Sequence, residues 1–421
     1  MHFDNIKKNS YIVQIMTLMS GTLIAQVVML ISIPILTRLY TPTEFGLYST
    51  FLAIVTIIGS VSSLKYDQAI MLPKSNRDAE ALLFLSTILT VVVTFLSTIA
   101  IFLFYDSILA YFNGSTFVVA LVPIGIFLIG MVQIFNAYSS RNQFYKTLSG
   151  VRVLNSFSIV TVQGFSRYIM SLDGLIVGRL FADFVSLFVL IRFHLKKQTF
   201  YLSRLSKRRM KINAKRHDDF PKYQSFTVFF SALSQNIPIL FLGSFFSPEI
   251  AGFYALTIRV LYAPIGLIGK STKEVYYQKA SRMFAEGENF FNLYVKTTFG
   301  LFKLFIIPFF IIIFFGEDIF TLVFGEKWQM SGVYSQILIF WFILLFTNSS
   351  SVATFSILSV QKTQMILEII LAFNRFLAIY IGFYFFDSAI VSIQLFTLIS
   401  VLNDIFILFY IYNKLKQLDN R

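Results

Sequence analysis

Apolar residues gather in about twelve stretches, each close to the ~20 residues a helix needs to cross a ~30 Å hydrocarbon layer. They lie at 12–36, 46–64, 80–104, 116–138, 151–170, 174–194, 224–246, 250–270, 297–316, 332–355, 364–386 and 389–412. The polar positions between them are ordered by charge. Lys and Arg collect in the N-terminal tail (Lys7, Lys8) and in alternate connections: Lys65, Lys74 and Arg77; Arg141, Lys146 and Arg152; a basic run from Arg192 to Lys222. The series continues with Lys270, Lys273, Lys279, Arg282 and Lys296, then Lys362, and ends with Lys414, Lys416 and Arg421. The intervening connections hold only Arg38, Arg167 and Lys327. Basic connections stay on the cytoplasmic side of a membrane. The pattern predicts an all-α polytopic membrane protein with both termini in the cytoplasm.

Composition agrees. Of 421 residues 56% are hydrophobic and only 13% charged, a mixture that no water-soluble surface would tolerate. The net charge of +14 lies in the cytoplasmic connections, where topology and anionic lipid headgroups account for it without nucleic acid. With no cysteine there are neither disulfides nor thiolate metal sites, and His2, His194 and His217 form no metal-binding pair, so no cofactor is expected. The first apolar stretch is too long for a cleaved signal peptide and lacks a small-residue cleavage site, which makes it a start-transfer span.

The longest cytoplasmic connection divides the chain into residues 1–195, a basic linker at 196–222, and residues 223–421, with six spans in each half. The halves repeat locally. Thr41-Pro42-Thr43-Glu44-Phe45-Gly46-Leu47-Tyr48 is matched by Ser247-Pro248-Glu249-Ile250-Ala251-Gly252-Phe253-Tyr254, with Pro42/Pro248, Gly46/Gly252 and Tyr48/Tyr254 each 206 residues apart. Ile33-Pro34-Ile35-Leu36 is echoed by Ile237-Pro238-Ile239-Leu240, 204 residues on. Thr41 and Ser247 are placed to cap the helices that follow, with proline in the first turn where no donor is lost. Pro34 and Pro238 are expected to interrupt their spans, and interruptions at matched positions point to a substrate path between repeats. An even number of spans per half gives parallel repeats, related by an axis along the membrane normal. Tyr40, Tyr48, Tyr105, Tyr111 and Tyr254 are expected in an outer interfacial belt.

A charge at mid-membrane costs roughly 2.5–3.5 kcal/mol on insertion scales, so each one needs a reason. Arg179 and Asp183 are four apart, on one helical face, and can neutralise each other. Arg375 follows Asn374 and Glu368, and Asp404 follows Asn403. Arg259 has no acidic residue within one helical turn, which suggests an external anion. Guanidinium groups match phosphate oxygens bidentately and do so best where water is scarce. Arginines from both halves would therefore suit a lipid-borne phosphate or diphosphate. Gln26, Gln235 and Asn236, with Ser231 and Ser234, would supply hydrogen bonds to a sugar, or join helix to helix.

Leu36-Thr37-Arg38-Leu39-Tyr40-Thr41-Pro42-Thr43-Glu44-Phe45-Gly46-Leu47-Tyr48 resembles the N-terminal hallmark of polysaccharide-export membrane proteins. Leu64-Lys65-Tyr66-Asp67-Gln68-Ala69-Ile70-Met71-Leu72-Pro73 resembles their next segment, and Gly252-Phe253-Tyr254-Ala255-Leu256-Thr257-Ile258-Arg259-Val260-Leu261 with Pro264 their eighth span. The chain thus resembles Wzx-type O-antigen or capsule repeat-unit flippases of the multidrug/oligosaccharidyl-lipid/polysaccharide (MOP) exporter superfamily. That resemblance implies two six-helix bundles related by pseudo-twofold symmetry, V-shaped around a central cavity, working by alternating access. It implies undecaprenyl-diphosphate-linked saccharide as cargo and the bacterial inner membrane as location, with membrane lipids, the polysaccharide polymerase and the chain-length machinery as partners. Arg259 matches the family's diphosphate-holding role best, with Lys65 at the inner mouth behind it. Arg179 and Arg375 join that set by position alone, and Asp67, Asp183 and Asp404 are the candidates for carrying a coupling ion.

Two other functions fit the layout less well. A membrane-embedded polymerase needs catalytic groups on a sizeable outer loop, and the longest outer connection, from Phe315 to Ser331, offers Glu317, Asp318 and Glu326 without an acid/base arrangement. A drug/cation antiporter of the same superfamily would favour a cavity dominated by carboxylates, whereas here arginines are at least as numerous. The expected protein is a transporter, not an enzyme.

Overall fold

The computed structural model describes residues 2–169, 173–197, 206–358 and 360–419. Those residues form α-helices joined by turns, with no strand among them. In chain order they are α1 (His2–Leu39), α2 (Pro42–Gly59), α3 (Tyr66–Ala69), α4 (Asn76–Leu103), α5 (Tyr105–Tyr111), α6 (Thr116–Arg141), α7 (Tyr145–Ser166), α8 (Gly174–Lys196) and α9 (Lys207–Arg216). There follow α10 (Ser225–Phe245), α11 (Pro248–Pro264), α12 (Lys270–Ala285), α13 (Phe291–Phe324), α14 (Gln329–Thr347), α15 (Ser349–Ile357), α16 (Gln361–Phe386) and α17 (Ala389–Asp419).

Each of the twelve apolar stretches falls on a helix, and among the described residues ten helical segments are long and apolar enough to span a bilayer. The two that fall short have physical reasons. Arg152, Asn155 and Gln163 interrupt the apolar run of α7. The second, α11, has only 17 residues before it loosens at Pro264 into a π-turn over Ile265–Gly269. Residues 198–205 of the basic linker, residue 170 at the end of the fifth stretch, and Arg421 lie outside the described residues. Large apolar side chains are exposed along the spans, Phe102 and Leu322 at 80% each. Such surfaces are stable against lipid tails, not against water. This is a multi-pass membrane protein.

The chain forms two compact units, residues 1–39 with 50–232, and residues 40–49 with 233–421. In the first, α7 packs between α1 and α8, α8 against α6, and α6 against α4, around Ile126, Ile134, Leu82 and Leu190. The helix α9 docks on the start of α4: Met210 meets Ala81 and Phe84, while Arg209 and Asn213 bind the Asp78 carboxylate at 3.4 and 3.2 Å. In the second unit α14 packs on α11, α13 and α17, and α16 on α17. At one end of it, Tyr276 and Tyr294 hydrogen-bond Thr354 and Ser351 at 2.7 and 2.9 Å within a cluster that includes Phe355, Ile411 and Leu415.

Two expectations are corrected here. Helices α1 and α10 run through Pro34 and Pro238 without a break. A proline removes one rung of the ladder, and in a dry span the remaining bonds are too costly to give up. The outer tyrosine belt also divides: Tyr105 and Tyr111 are exposed, but Tyr40, Tyr48 and Tyr254 are buried at 0, 5 and 1%. The latter three sit beside the repeated Pro-Gly motif, whose packing takes them inside.

That packing is reciprocal. Thr41 and Glu44 form a capping box at the start of α2, with the Thr41 N–H donating to Glu44 Oε2 at 2.7 Å and the Glu44 N–H to Thr41 Oγ1 at 3.3 Å. Ser247 Oγ accepts from the Ile250 N–H at 3.3 Å and caps α11 in the same way. Inside the second unit these two first turns cross backbone to backbone. A Cβ at Gly46 would lie 1.7 Å from the Pro248 carbonyl oxygen, and one at Gly252 would lie 1.9 Å from that of Pro42. Only glycine allows this approach. The two copies of the motif are thus each other's contact, with Trp328 buried against Phe45 and Phe253, and Lys327 donating to the Tyr40 carbonyl at 2.7 Å.

Candidate functional site

The second unit holds a buried polar layer in the middle of apolar spans. Its centre is Arg375 on α16, 5% exposed. Nε donates to Ser400 Oγ on α17 and Nη1 to Ser234 Oγ on α10, both at 3.0 Å. The guanidinium plane stands over Trp341 and Phe396, 4.8 and 5.1 Å from the ring centroids. Hydroxyls and aromatic faces therefore hold this cation, and its hydrogen bonds go to neutral partners. Asp404 lies one turn beyond Ser400 and is itself buried. Asn348 donates to the Asp404 backbone carbonyl at 2.9 Å, and the Asn348 and Trp341 side chains lie beside the carboxylate, although Oδ2 makes no well-aligned hydrogen bond among the described residues. The carboxylates of Asp404 and Glu368 and the hydroxyls of Tyr254 and Tyr262 act on Arg375 electrostatically. A buried cation held by neutral groups beside an incompletely satisfied carboxylate can exchange partners, unlike a closed ion pair.

In the first unit the expected site residues form two ion pairs. Arg179 Nε lies 2.8 Å from Asp183 Oδ2 along α8, the intrahelical pairing that their spacing allows. Asn155 on α7 donates to Asp183 Oδ1 at 3.1 Å and to Ser186 Oγ at 2.9 Å. The second pair joins Lys65 and Asp67 at 3.6 Å, both buried. Lys65 Nζ also donates to the Ser60 carbonyl at 3.3 Å, and Ser63 donates to Asp67 Oδ1 at 2.6 Å. The turn that brings them together is strained, with Leu64 and Lys65 at φ 49° and 59°, in the left-handed region that side chains with a Cβ avoid. The hydroxyl of neighbouring Tyr66 donates to the Ala214 carbonyl of α9. Burial pushes its pKa up, and the nearby Asp218 adds to the rise.

The remaining expected residues are more dispersed. Arg259 is half-buried on α11 and has an interaction partner of its own in the protein, so an external anion would compete for it. Gln26 is half-buried on α1, with its side-chain oxygen lacking a donor. On α10, Gln235 is exposed and Asn236 half-buried, both with partners in the protein. The structure thus joins Arg375 with Asp404 and Tyr254, Lys65 with Asp67, and Arg179 with Asp183. Ser400, Asn348 and Asn155 complete these clusters and were not singled out from sequence. Their local signs are slight: a single Ser400 in an apolar stretch, the pair Asn155-Ser156, and the short polar run at 347–351.

A sequence model of the family described as "Polysaccharide biosynthesis protein" matches residues 35–333. The chain belongs to that family. The match begins at the segment 36–48 and takes in the segment 252–261, which carry the resemblance read from sequence. No curated protein matches the chain in sequence. Among solved structures it is similar to the lipid II flippase MurJ in its inward closed conformation, at 14% identity and a TM-score of 0.76 over 93% of this chain and 87% of that one. It is also similar to an inward-facing multidrug resistance MATE family transporter of the MOP superfamily, at 13% identity and a TM-score of 0.67 over 96% of both chains. A third likeness is to a MOP superfamily transporter from Pyrococcus furiosus, at 16% identity and a TM-score of 0.58 over 96% of both. The polysaccharide biosynthesis protein has the MOP-superfamily fold.

Proposed function

We propose that this protein is a flippase that carries undecaprenyl-diphosphate-linked oligosaccharide repeat units from the cytoplasmic to the outer leaflet of a bacterial inner membrane, for O-antigen or capsular polysaccharide. Family membership carries the proposal, and the fold shared with a lipid II flippase supports it. The cycle is alternating access without covalent chemistry: cargo binds from the cytoplasm, the protein switches state, and cargo leaves outside. Both termini are cytoplasmic, and the polysaccharide polymerase and chain-length machinery act on the delivered units.

Arg259 and Arg375 are the diphosphate ligands in this reading, since each presents a guanidinium within a span. Arg179 and Lys65 act as reserve cations, because carboxylates already hold them. Gln26, Gln235 and Asn236 face the sugar. Asp404 is the first choice for ion coupling, with Asp183 and Asp67 behind it, because of these three only Asp404 has a buried carboxylate oxygen without a hydrogen-bond partner among the described residues. The test is deletion of the gene in a host that makes a defined surface polysaccharide, then complementation with wild type and with Arg259→Ala, both verified in the membrane. Wild type should restore the polymer, while Arg259→Ala should leave lipid-linked units on the cytoplasmic face. Full complementation by Arg259→Ala would remove that residue from the site and leave the flippase standing. Deletion cells that display single unpolymerised units outside would show a polymerase instead.

A further inference from the structure

The linker helix α9 is a cationic feature that the transport reading does not use. Its sequence, Lys-Arg-Arg-Met-Lys-Ile-Asn-Ala-Lys-Arg, is divided by its docking. Met210 and Asn213 are buried on α4, and Arg209 is tied to Asp78. The outer face carries Lys207, Arg208, Lys211, Lys215 and Arg216, all exposed, around Ile212 at 48% exposure. The nearby acids only partly offset this face: Asp78 is bound by Arg209 and Asn213, while Asp218 pairs with Lys222 at 2.5 Å and also acts on Lys215, so with Asp219 past the helix end the five cations keep a net positive charge.

Docking also fixes the depth of the helix. At 1.5 Å per residue, Ala81 and Phe84 lie roughly 8 and 12 Å along α4 from its start at Asn76. With Asn76–Leu103 taken as the span, this docking would set α9 where the headgroup layer meets the hydrocarbon. We infer that α9 binds anionic phospholipid headgroups through this cationic face, with Ile212 seated among the upper acyl carbons. Five cations spread along one exposed helical face match an array of lipid phosphates better than a single diphosphate. The inference needs only the spanning assignment of α4 and stands apart from the transported cargo.

The chain has no cysteine, so one introduced thiol reports alone. Full-length Ile212→Cys protein in lipid nanodiscs would be labelled with an uncharged water-soluble maleimide, in phosphatidylcholine and in phosphatidylcholine mixed with phosphatidylglycerol. A control thiol at Glu288→Cys, exposed on another connection, reports the bulk effect of the lipid. Labelling at position 212 should slow severalfold in the anionic discs relative to the control, and ~1 M salt, where the screening length is about 3 Å, should reverse the slowing. Adding Lys211→Gln and Lys215→Gln should abolish the lipid difference. Equal labelling in both lipids would make α9 a topology anchor only. Slowing that persists in the glutamine variant or in salt would assign the protection to apolar burial and overturn the electrostatic proposal.

Discussion

Arg375 shows how one side chain can be both a structural centre and a transport candidate. Removing it leaves two serine hydroxyls and the Asp404 carboxylate in a dry site without their cation. Arg375→Ala should therefore cost about 3–5 kcal/mol, read as a large fall in Tm of the purified protein in lipid. Arg375→Lys should recover little, because an ammonium cannot bond both serines and lie flat over Trp341 and Phe396. Asp404→Asn placed on Arg375→Ala should regain part of the loss, and strict additivity would show that the two do not interact. The Lys65–Asp67 pair makes the opposite case. Either single alanine should destabilise by more than the double, since the double leaves no lone buried charge. Sequence placed all four of these ionisable groups in or beside spans but could not tell which were already neutralised. The Arg179–Asp183 pairing was legible from its four-residue spacing. The serine partners of Arg375 were not, because Ser234 is 141 residues away along the chain.

At the scale of elements, caps and prolines were readable, since N-cap chemistry and first-turn proline act within four residues. Thr41→Ala should cost about 1 kcal/mol through the lost capping box. What the repeated motif does was not readable. Viewed locally it is a turn; in the folded unit Gly46 and Gly252 are the crossing point of α2 and α11. Gly46→Ala and Gly252→Ala should each push these first turns apart and lower Tm. The double variant should lose less than the sum, because one displacement relieves both clashes. Full additivity would indicate two separate contacts. The continuity of α1 and α10 through Pro34 and Pro238 belongs to this scale too: a proline predicts a lost bond, and the surroundings decide whether the helix breaks.

For the whole molecule, the alternation of basic connections predicts a sidedness that can be tested directly. In spheroplasts, Tyr168→Cys should react with an impermeant maleimide from outside, whereas Gln417→Cys and Glu288→Cys should react only after permeabilisation. Outside labelling of position 417 would invert the topology. The existence of the spans was legible but not their ends, as 297–316 lies inside the longer helix Phe291–Phe324, because insertion depends on the summed transfer free energy of about twenty consecutive residues. The two weaker spans, α7 and α11, are where polar residues and a π-turn lower that sum.

Sequence by itself determined what acts locally along the chain: the apolar runs, the charge alternation, the caps, the four-residue ion pair and the family segments. Tertiary structure alone decided what depends on distant residues meeting. It brought Gly46 to Gly252, supplied neutral serines and aromatic faces to Arg375, closed Lys65 on Asp67 within a strained turn, and docked α9 on the start of α4. Inside a membrane almost every position is apolar, so the pattern that drives insertion carries little information about which helix faces which. That choice falls to a few glycines, serines and charges whose partners become adjacent only when the chain folds.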